Sequence, residues 1–493
     1  MIRLSSFTIL SHPLPDQNIV LMNGYSGALD IIQPELAVFF KEMIKNSPRG
    51  QAFFEKKILP HETFSILLER GHLTTSTHDE EKMLVSEIGH GLHEMEKKRP
   101  YFMIVPNMDC NYRCTYCFER HLQKNLNNKS SNINYYKNNV VMTSEMVPRI
   151  FSCIENIQKN AGASQGGMIN LYGGEPLDFK NKRLLDTIFK LGADKGYWFV
   201  AITNGHHLDS FLPVIKMNTL RKVQVTIDGP RHIHDKTRIH RGGTSSFDRI
   251  FENIHKVLAV GGKVDIRVHV SPQNINQFKT VLGLFEKEGW TNNEAVIIYA
   301  NTLYRKNDGG KVCVDLQTSD ISTYLDQMVD NYNNVFTSAP AVHIAQDIAA
   351  VFEKGERFSL KGAYCGANFG HYIFAPDQNI YVCWESIGKE NSKIGHYRSK
   401  DGPIFNQTVV KKWFNRSVSD IEECLECEFA LICGGGCAQY AKYNTSSSNK
   451  PYCNDFQRTF ELALADEVAR RWDYLQNAGI DYQSNTLIQQ GGN

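Results

Sequence analysis

Apolar and polar positions follow two different rhythms along this chain, and the change of rhythm divides it. Up to residue 97, short apolar runs at 7–10 and 18–22 read as strands. Asn23-Gly24 is a hairpin-type turn signal. Helical spacing then takes over at 31–43, at 61–70 with Gly71 as its stop, and along the charged stretch 79–97. Strands followed by a helical set predict a small α+β module.

From Tyr101 onward, apolar runs and amphipathic stretches alternate. Strands are predicted at 102–105, 168–172, 198–203, 222–227, 265–270 and 295–299. Helices are predicted near 144–159, 181–194, 207–217, 246–260 and 274–288. Six βα units of this spacing imply a parallel sheet, open or curled into part of a barrel. Such sheets bind ligands at the carboxyl ends of their strands. Residues 301–364 read as a loop followed by helices at 319–332 and 341–353. A helix is expected at 456–477, before a Gln/Gly-rich end. The Asn-rich segment 123–139 reads as a mobile surface insertion. The resulting division is 1–97, an α+β module; 98–300, the βα core; 301–364, a bridge; 365–460, a cysteine-rich domain; and 461–493, a helix and tail.

Composition adds exclusions. Lys plus Arg is 54 and Asp plus Glu is 53, which gives no electrostatic case for nucleic acid or an anionic membrane. No run approaches the length of a membrane span. The first residues lack the charged start and apolar core of an export signal, so a cytoplasmic location is expected. The 12 cysteines are then expected to bind metal rather than form disulfides. They cluster at 110–117 and 365–453, with Cys153 and Cys313 apart and read as buried small hydrophobes.

The first cluster, Cys110-x3-Cys114-x2-Cys117, follows the first core strand. Thiolates suit iron–sulfur clusters and zinc. Three on one loop, without a fourth, leave a cluster iron open to another ligand. The ends of the next strands carry Tyr172-Gly173-Gly174-Glu175-Pro176, Thr203-Asn204-Gly205 and Thr226-Ile227-Asp228-Gly229-Pro230. Arg238 and the run Gly242–Phe247 lie just beyond. The second cluster is Cys424-x2-Cys427-x5-Cys433-x3-Cys437, followed by Cys453 and preceded by Cys365 and Cys383. Zinc is the rival occupant for such knuckles.

The first motif, with Tyr116 at its aromatic position and Gly173-Gly174-Glu175 one βα unit later, resembles the radical S-adenosylmethionine (radical SAM) superfamily. The second resembles its SPASM auxiliary-cluster extension, and residues 1–97 more loosely resemble the winged-helix-like leader-recognition modules of ribosomal peptide maturases. The resemblance implies a partial (β/α)6 TIM-type barrel, S-adenosylmethionine and three [4Fe-4S] clusters. Cys110, Cys114 and Cys117 would hold the first cluster. Cys424, Cys427, Cys433 and Cys453 would hold an outer one, and Cys365, Cys383 and Cys437 an inner one, with Cys313 or His371 as a possible further donor. Tyr116, Gly173, Gly174, Glu175, Thr203, Asn204, Thr226, Asp228 and Arg238 would contact S-adenosylmethionine, Thr226 and Asp228 at the ribose.

The implied activity is hydrogen abstraction from a side-chain carbon of a precursor peptide, forming a C–C or thioether cross-link. The partners would be that peptide with its leader and an electron donor such as flavodoxin or ferredoxin. Two departures stand out. Gln378 occupies a position where the family has Gly, with Asn379 expected to supply the turn instead. Cys383 is followed by Trp384 and Glu385, whereas sulfatase-maturing relatives place Asp directly after that cysteine. Glu385 and Asp377 are the candidate bases. The alternatives are a sulfatase-maturase-like protein oxidation and a non-catalytic, metal-stabilised peptide-binding protein.

Overall fold

A computed structural model describes residues 2–46, 59–119, 141–306, 311–329 and 331–471. The Asn-rich segment 123–139, the helix beyond 471 and the tail lie outside the described residues.

In the N-terminal module, Thr8–Pro13, Ile19–Asn23 and Leu29–Ile32 form an antiparallel sheet. The helix expected at 31–43 begins instead at Pro34 and runs Pro34–Asn46. Ile31 and Ile32 complete a buried strand, and proline fixes φ for the first helical turn. The helix His78–Lys97 starts at a Thr77/Glu80 capping box. Its Glu81 is 1% exposed and receives Arg3 Nη2 and Ser5 Oγ, each at 2.6 Å. The module is fastened to the C-terminal region: Phe7 and Val85 share a core with Val418, Ile421 and Leu431.

The central sheet contains β1 Tyr101–Ile104, β2 Gly167–Leu171, β3 Tyr197–Ile202, β4 Leu220–Thr226, β5 Lys263–Val270 and β6 Val296–Thr302. These six are parallel and adjacent in chain order. Helices including Val147–Ala161, Lys182–Asp194, Ser246–Ala259 and Phe278–Lys287 bury their apolar stripes on it. The helix expected at 207–217 is a 3-10 turn, Leu208–Phe211, followed by the short helix Leu212–Lys216. Pro213, with no N–H to donate, fits only the first turn of that helix.

The sheet continues past the six strands. β7, Val335–Phe336, adds in parallel beside β6. β8, His371–Phe374, adds in parallel to the free edge of β1. The antiparallel strands β9 Asn379–Tyr381, β10 Lys393–His396 and β11 Ile404–Phe405 extend that side. The result is an open eleven-stranded sheet. The cysteine-rich region therefore shares the core's hydrogen-bond ladder, and its residues Ile373 and Phe374 are fully buried. Thr318–Val329, Ala339–Lys354 and Phe456–Arg470 pack together behind the far edge.

Candidate active site

The loop after β1 carries the first three cysteines to the carboxyl end of the sheet. Cys110 is buried, and Cys114 and Cys117 are half-buried. All three line one cavity of about 410 Å³ together with Tyr172, Gly173, Gly174 and Glu175. The strand Tyr112–Cys114 is pinned by antiparallel pairing with Arg238–His240. The two glycines after β2 serve this loop directly. A Cβ on Gly173 would stand 2.4 Å from the Asn107 carbonyl oxygen, and one on Gly174 2.2 Å from that of Asp109. Gly174 N donates to Asn107 O at 3.2 Å and Glu175 N to Asp109 O at 2.9 Å. The Gly-Gly-Glu segment is thus the surface on which the cysteine loop rests.

Glu175 is 2% exposed. Its Oε1 accepts from Thr203 Oγ1 at 2.5 Å and Leu177 N at 2.9 Å, and its Oε2 from Asn204 N at 2.6 Å. Burial pushes its pKa up to about 7 against these hydrogen bonds. Asn204 Nδ2 reaches Asn111 Oδ1 at 2.6 Å and Cys110 Sγ at 3.7 Å. One carboxylate therefore locks the ends of β2 and β3 together under the cysteine loop.

Tyr116 Oη donates to Asp228 Oδ2 at 2.5 Å and accepts from Arg238 Nη1 at 2.7 Å. His269 Nδ1 lies 3.3 Å from Asp228 Oδ1. Burial would raise the Asp228 carboxyl, but His269 and Arg238 overcome it and hold the group well below the usual carboxylate range. Thr226 and Arg238 face the cavity, whereas Asp228 sits behind Tyr116, 2% exposed.

The sequence reading passed over several wall residues. Arg267 and His269 come from β5 and line the cavity, as do Glu119, Tyr304 and Tyr440. His269 meets Tyr116 edge-on with ring centroids 4.9 Å apart. Its place at the carboxyl end of a predicted strand was the available signal. Glu119, two residues past the third cysteine, is raised to about 8 by burial and then by the charge of Glu385.

The structure gathers the remaining cysteines into two sets. Cys365, Cys383 and Cys437 line a neighbouring cavity of about 550 Å³, with His371 on its wall. Cys424, Cys427, Cys433 and Cys453 lie within electrostatic reach of one another. Cys153 is buried in the core, as expected. Cys313 is exposed instead, on the ribbon Tyr304–Lys306/Val312–Val314. Alternation along that ribbon buries Val312 and turns Cys313 outward. Gln378 itself adopts φ 64°, so it makes the left-handed turn that Asn379 was expected to supply. Asp377 accepts from Asn379 N at 3.0 Å and Tyr381 Oη at 2.8 Å and caps that turn. Glu385 lies on both cavities, where Tyr440 Oη donates to it at 3.2 Å.

No three His, Cys, Asp or Glu groups among the described residues close to the spacing of a single-ion site. The donor chemistry itself fits iron–sulfur ligation. Burial raises the pKa of all three loop thiols, Cys117 to about 12, and neighbouring acidic groups and thiols add to it, with Arg238 opposing them at Cys114 and Cys117. Thiolates crowded in so buried a place require metal charge to compensate them.

A parallel sheet with three thiols, a glycine strap and a braced carboxylate at its carboxyl end defines the radical SAM class. Residues 104–285 match the family described as the Radical SAM superfamily. Over 380 residues the chain is 24% identical to a cysteine-type anaerobic sulfatase-maturating enzyme of Clostridium novyi (strain NT), covering 75% of this chain and 96% of that one. The fold is similar to native anSMEcpe with bound AdoMet and Cp18Cys peptide (TM-score 0.54, 16% identity, 77% of this chain and 99% of that chain). It is also similar to Streptococcus suis SuiB (TM-score 0.50, 14% identity, 91% and 98%). Residues 104–285 thus carry a radical SAM domain, and most of the chain is similar to enzymes built on that domain. No helix among the described residues is long and apolar enough to cross a membrane.

Proposed function

We propose that this enzyme is a peptide maturase that forms a C–C or thioether cross-link in a ribosomally made precursor. A four-iron cluster on Cys110, Cys114 and Cys117, with S-adenosylmethionine, would supply the 5′-deoxyadenosyl radical that removes a hydrogen atom from a substrate side-chain carbon. The chain's own residues hold the site rigid. Glu175 braces two strand ends under the loop, and the Arg238–Tyr116–Asp228 series fixes the aromatic residue between the second and third cysteines. Tyr116, Gly173, Gly174, Thr203, Asn204 and Thr226 line the cavity beside the thiols and are assigned to S-adenosylmethionine.

The observation that carries the reading is the shared wall between the two cavities. Ile202, Asn301, Thr302, Tyr304, Trp384, Glu385 and Tyr440 line both. A substrate carbon beside the radical site is then also near the Cys365/Cys383/Cys437 set. An auxiliary cluster there, and another on the outer four cysteines, would receive the electron released on product oxidation. Glu385 is the better-placed base, since burial raises its pKa and it faces both spaces. The N-terminal module is assigned to the leader, and an external flavodoxin or ferredoxin to the supply of electrons.

The test is co-expression of the enzyme with short precursor peptides encoded beside it, under anaerobic conditions. A peptide that loses two hydrogens by mass, with a new bond mapped by fragmentation, supports the reading. Oxidation of a sulfatase cysteine or serine to an aldehyde instead would support the sulfatase-maturase alternative. Absence of 5′-deoxyadenosine from reduced, reconstituted enzyme rejects both.

A further inference from the structure

The cavity that holds the three loop thiols has an acidic end, where Glu119, to which the reaction assigns no role, stands near Glu385. Glu119 is 4% exposed, lines that cavity, and leaves its Oε1 without a hydrogen-bond partner among the described residues. Glu385 faces the same space and accepts the Tyr440 hydroxyl. The lysines whose charge reaches Glu385 are turned elsewhere. Lys389 Nζ donates to Tyr443 Oη at 2.8 Å, and Lys306 Nζ stands 3.9 Å from the Tyr443 ring centroid.

A buried carboxyl oxygen without a partner costs free energy until a guest donates a hydrogen bond to it, and a charged donor makes the strongest such bond. The walls around the two acids are aromatic. Tyr172 and Trp384 lie 6.1 Å apart by ring centroid, and Tyr304 and Tyr440 5.2 Å apart, all on this cavity. Aromatic faces attract cations and also pack against methylene stems. Carboxylates at the end and rings along the sides together make a receptor for a cation on a hydrocarbon chain.

We propose that this end of the cavity receives the charged tip of a lysine or arginine side chain of the substrate, with its methylene stem between the two ring pairs. This rests on the reading of the substrate as a peptide, and it names the residue that enters the site. The anchored tip would hold the stem carbons along the wall leading to the cysteine loop, which selects the peptide position that is presented for reaction.

The experiment uses iron-reconstituted enzyme in its oxidised state, saturated with S-adenosylmethionine so that no cleavage occurs. Ligand-observed NMR measures binding of n-butylammonium, with n-butanol as the neutral probe. The ammonium should bind more tightly than the alcohol. Glu119→Gln should weaken the ammonium by roughly tenfold or more and leave the alcohol unchanged. Glu385→Gln should weaken it independently, which keeps the test available if the first variant does not fold. Equal binding of both probes, or ammonium binding unchanged in both variants, overturns the proposal. Ammonium binding that is seen only when S-adenosylmethionine is left out also overturns it, because the acids would then serve the cofactor's own amino group. Binding is read without reduction, so its failure is separate from a failure to cleave S-adenosylmethionine.

Discussion

Tyr116 Oη stands 2.5 Å from Asp228 Oδ2, across 112 positions of sequence. The contact joins the residue between the second and third cysteines to the turn after β4. Its short length is that of a hydroxyl donating to a charged carboxylate. Arg238 donates to the same hydroxyl from the strand paired with the cysteine loop. Tyr116→Phe removes both bonds and leaves two buried charges facing each other without the bridge. The expected cost is about 1.5–3 kcal/mol, measured by denaturant unfolding of the iron-free protein. A variant as stable as the parent would show that this network does not hold the loop.

Gly174 has no space for a side chain, because its Cβ would lie 2.2 Å from the Asp109 carbonyl oxygen. Gly174→Ala should displace the cysteine loop and cost roughly 1–3 kcal/mol. Iron content after reconstitution is the direct readout. The loop cluster should be lost while the iron on the C-terminal cysteines remains.

Cys114 lines the first cavity together with Cys110 and Cys117. Cys114→Ala should abolish formation of 5′-deoxyadenosine and leave the fold intact by thermal melt. Parent enzyme with all three clusters should carry about twelve irons. A Cys424→Ala variant should lose about four of them. Cleavage of S-adenosylmethionine by the Cys114 variant would falsify the assignment of the loop.

Asp466 on Phe456–Arg470 is raised in pKa by burial and then by Asp326 on Thr318–Val329, to which it hydrogen-bonds. The folded state therefore holds this proton more tightly than the unfolded chain does. That contribution to stability is fully present below the ordinary carboxylate pKa of ~4 and is lost as pH rises through the raised value. Asp466→Asn keeps a hydrogen-bond donor toward Asp326 and removes the titration. Its urea midpoint should fall less steeply on the alkaline side than that of the parent.

Gln378 takes φ 64° at the family's glycine position. Gln378→Gly should relieve a left-handed strain of ~1 kcal/mol, partly offset by the greater freedom of glycine when unfolded. A small rise in the thermal midpoint is expected, and a fall would show that the Gln378 side chain contributes packing.

The sequence by itself determined most of the elements and the loop that carries the first three cysteines. Strand and helix periods, turn residues and cysteine spacing are local signals, and each is complete within a short window. The six core strands accordingly lie within a few residues of their expected places, and Cys110, Cys114 and Cys117 meet on one cavity. Where local signals overlapped they misled. Ile31 and Ile32 fit a helical stripe but complete a strand, and Cys313 resembled a core residue but lies on the outer face of a ribbon. Tertiary structure alone decided the partners. Glu175 is bonded to Thr203 and Asn204, Asp228 is covered by Tyr116, and β8 extends the edge of β1 some 270 residues earlier. These contacts depend on sheet register and on which faces pack together. Such choices are fixed by burial across the whole chain, so no short stretch of sequence contains them.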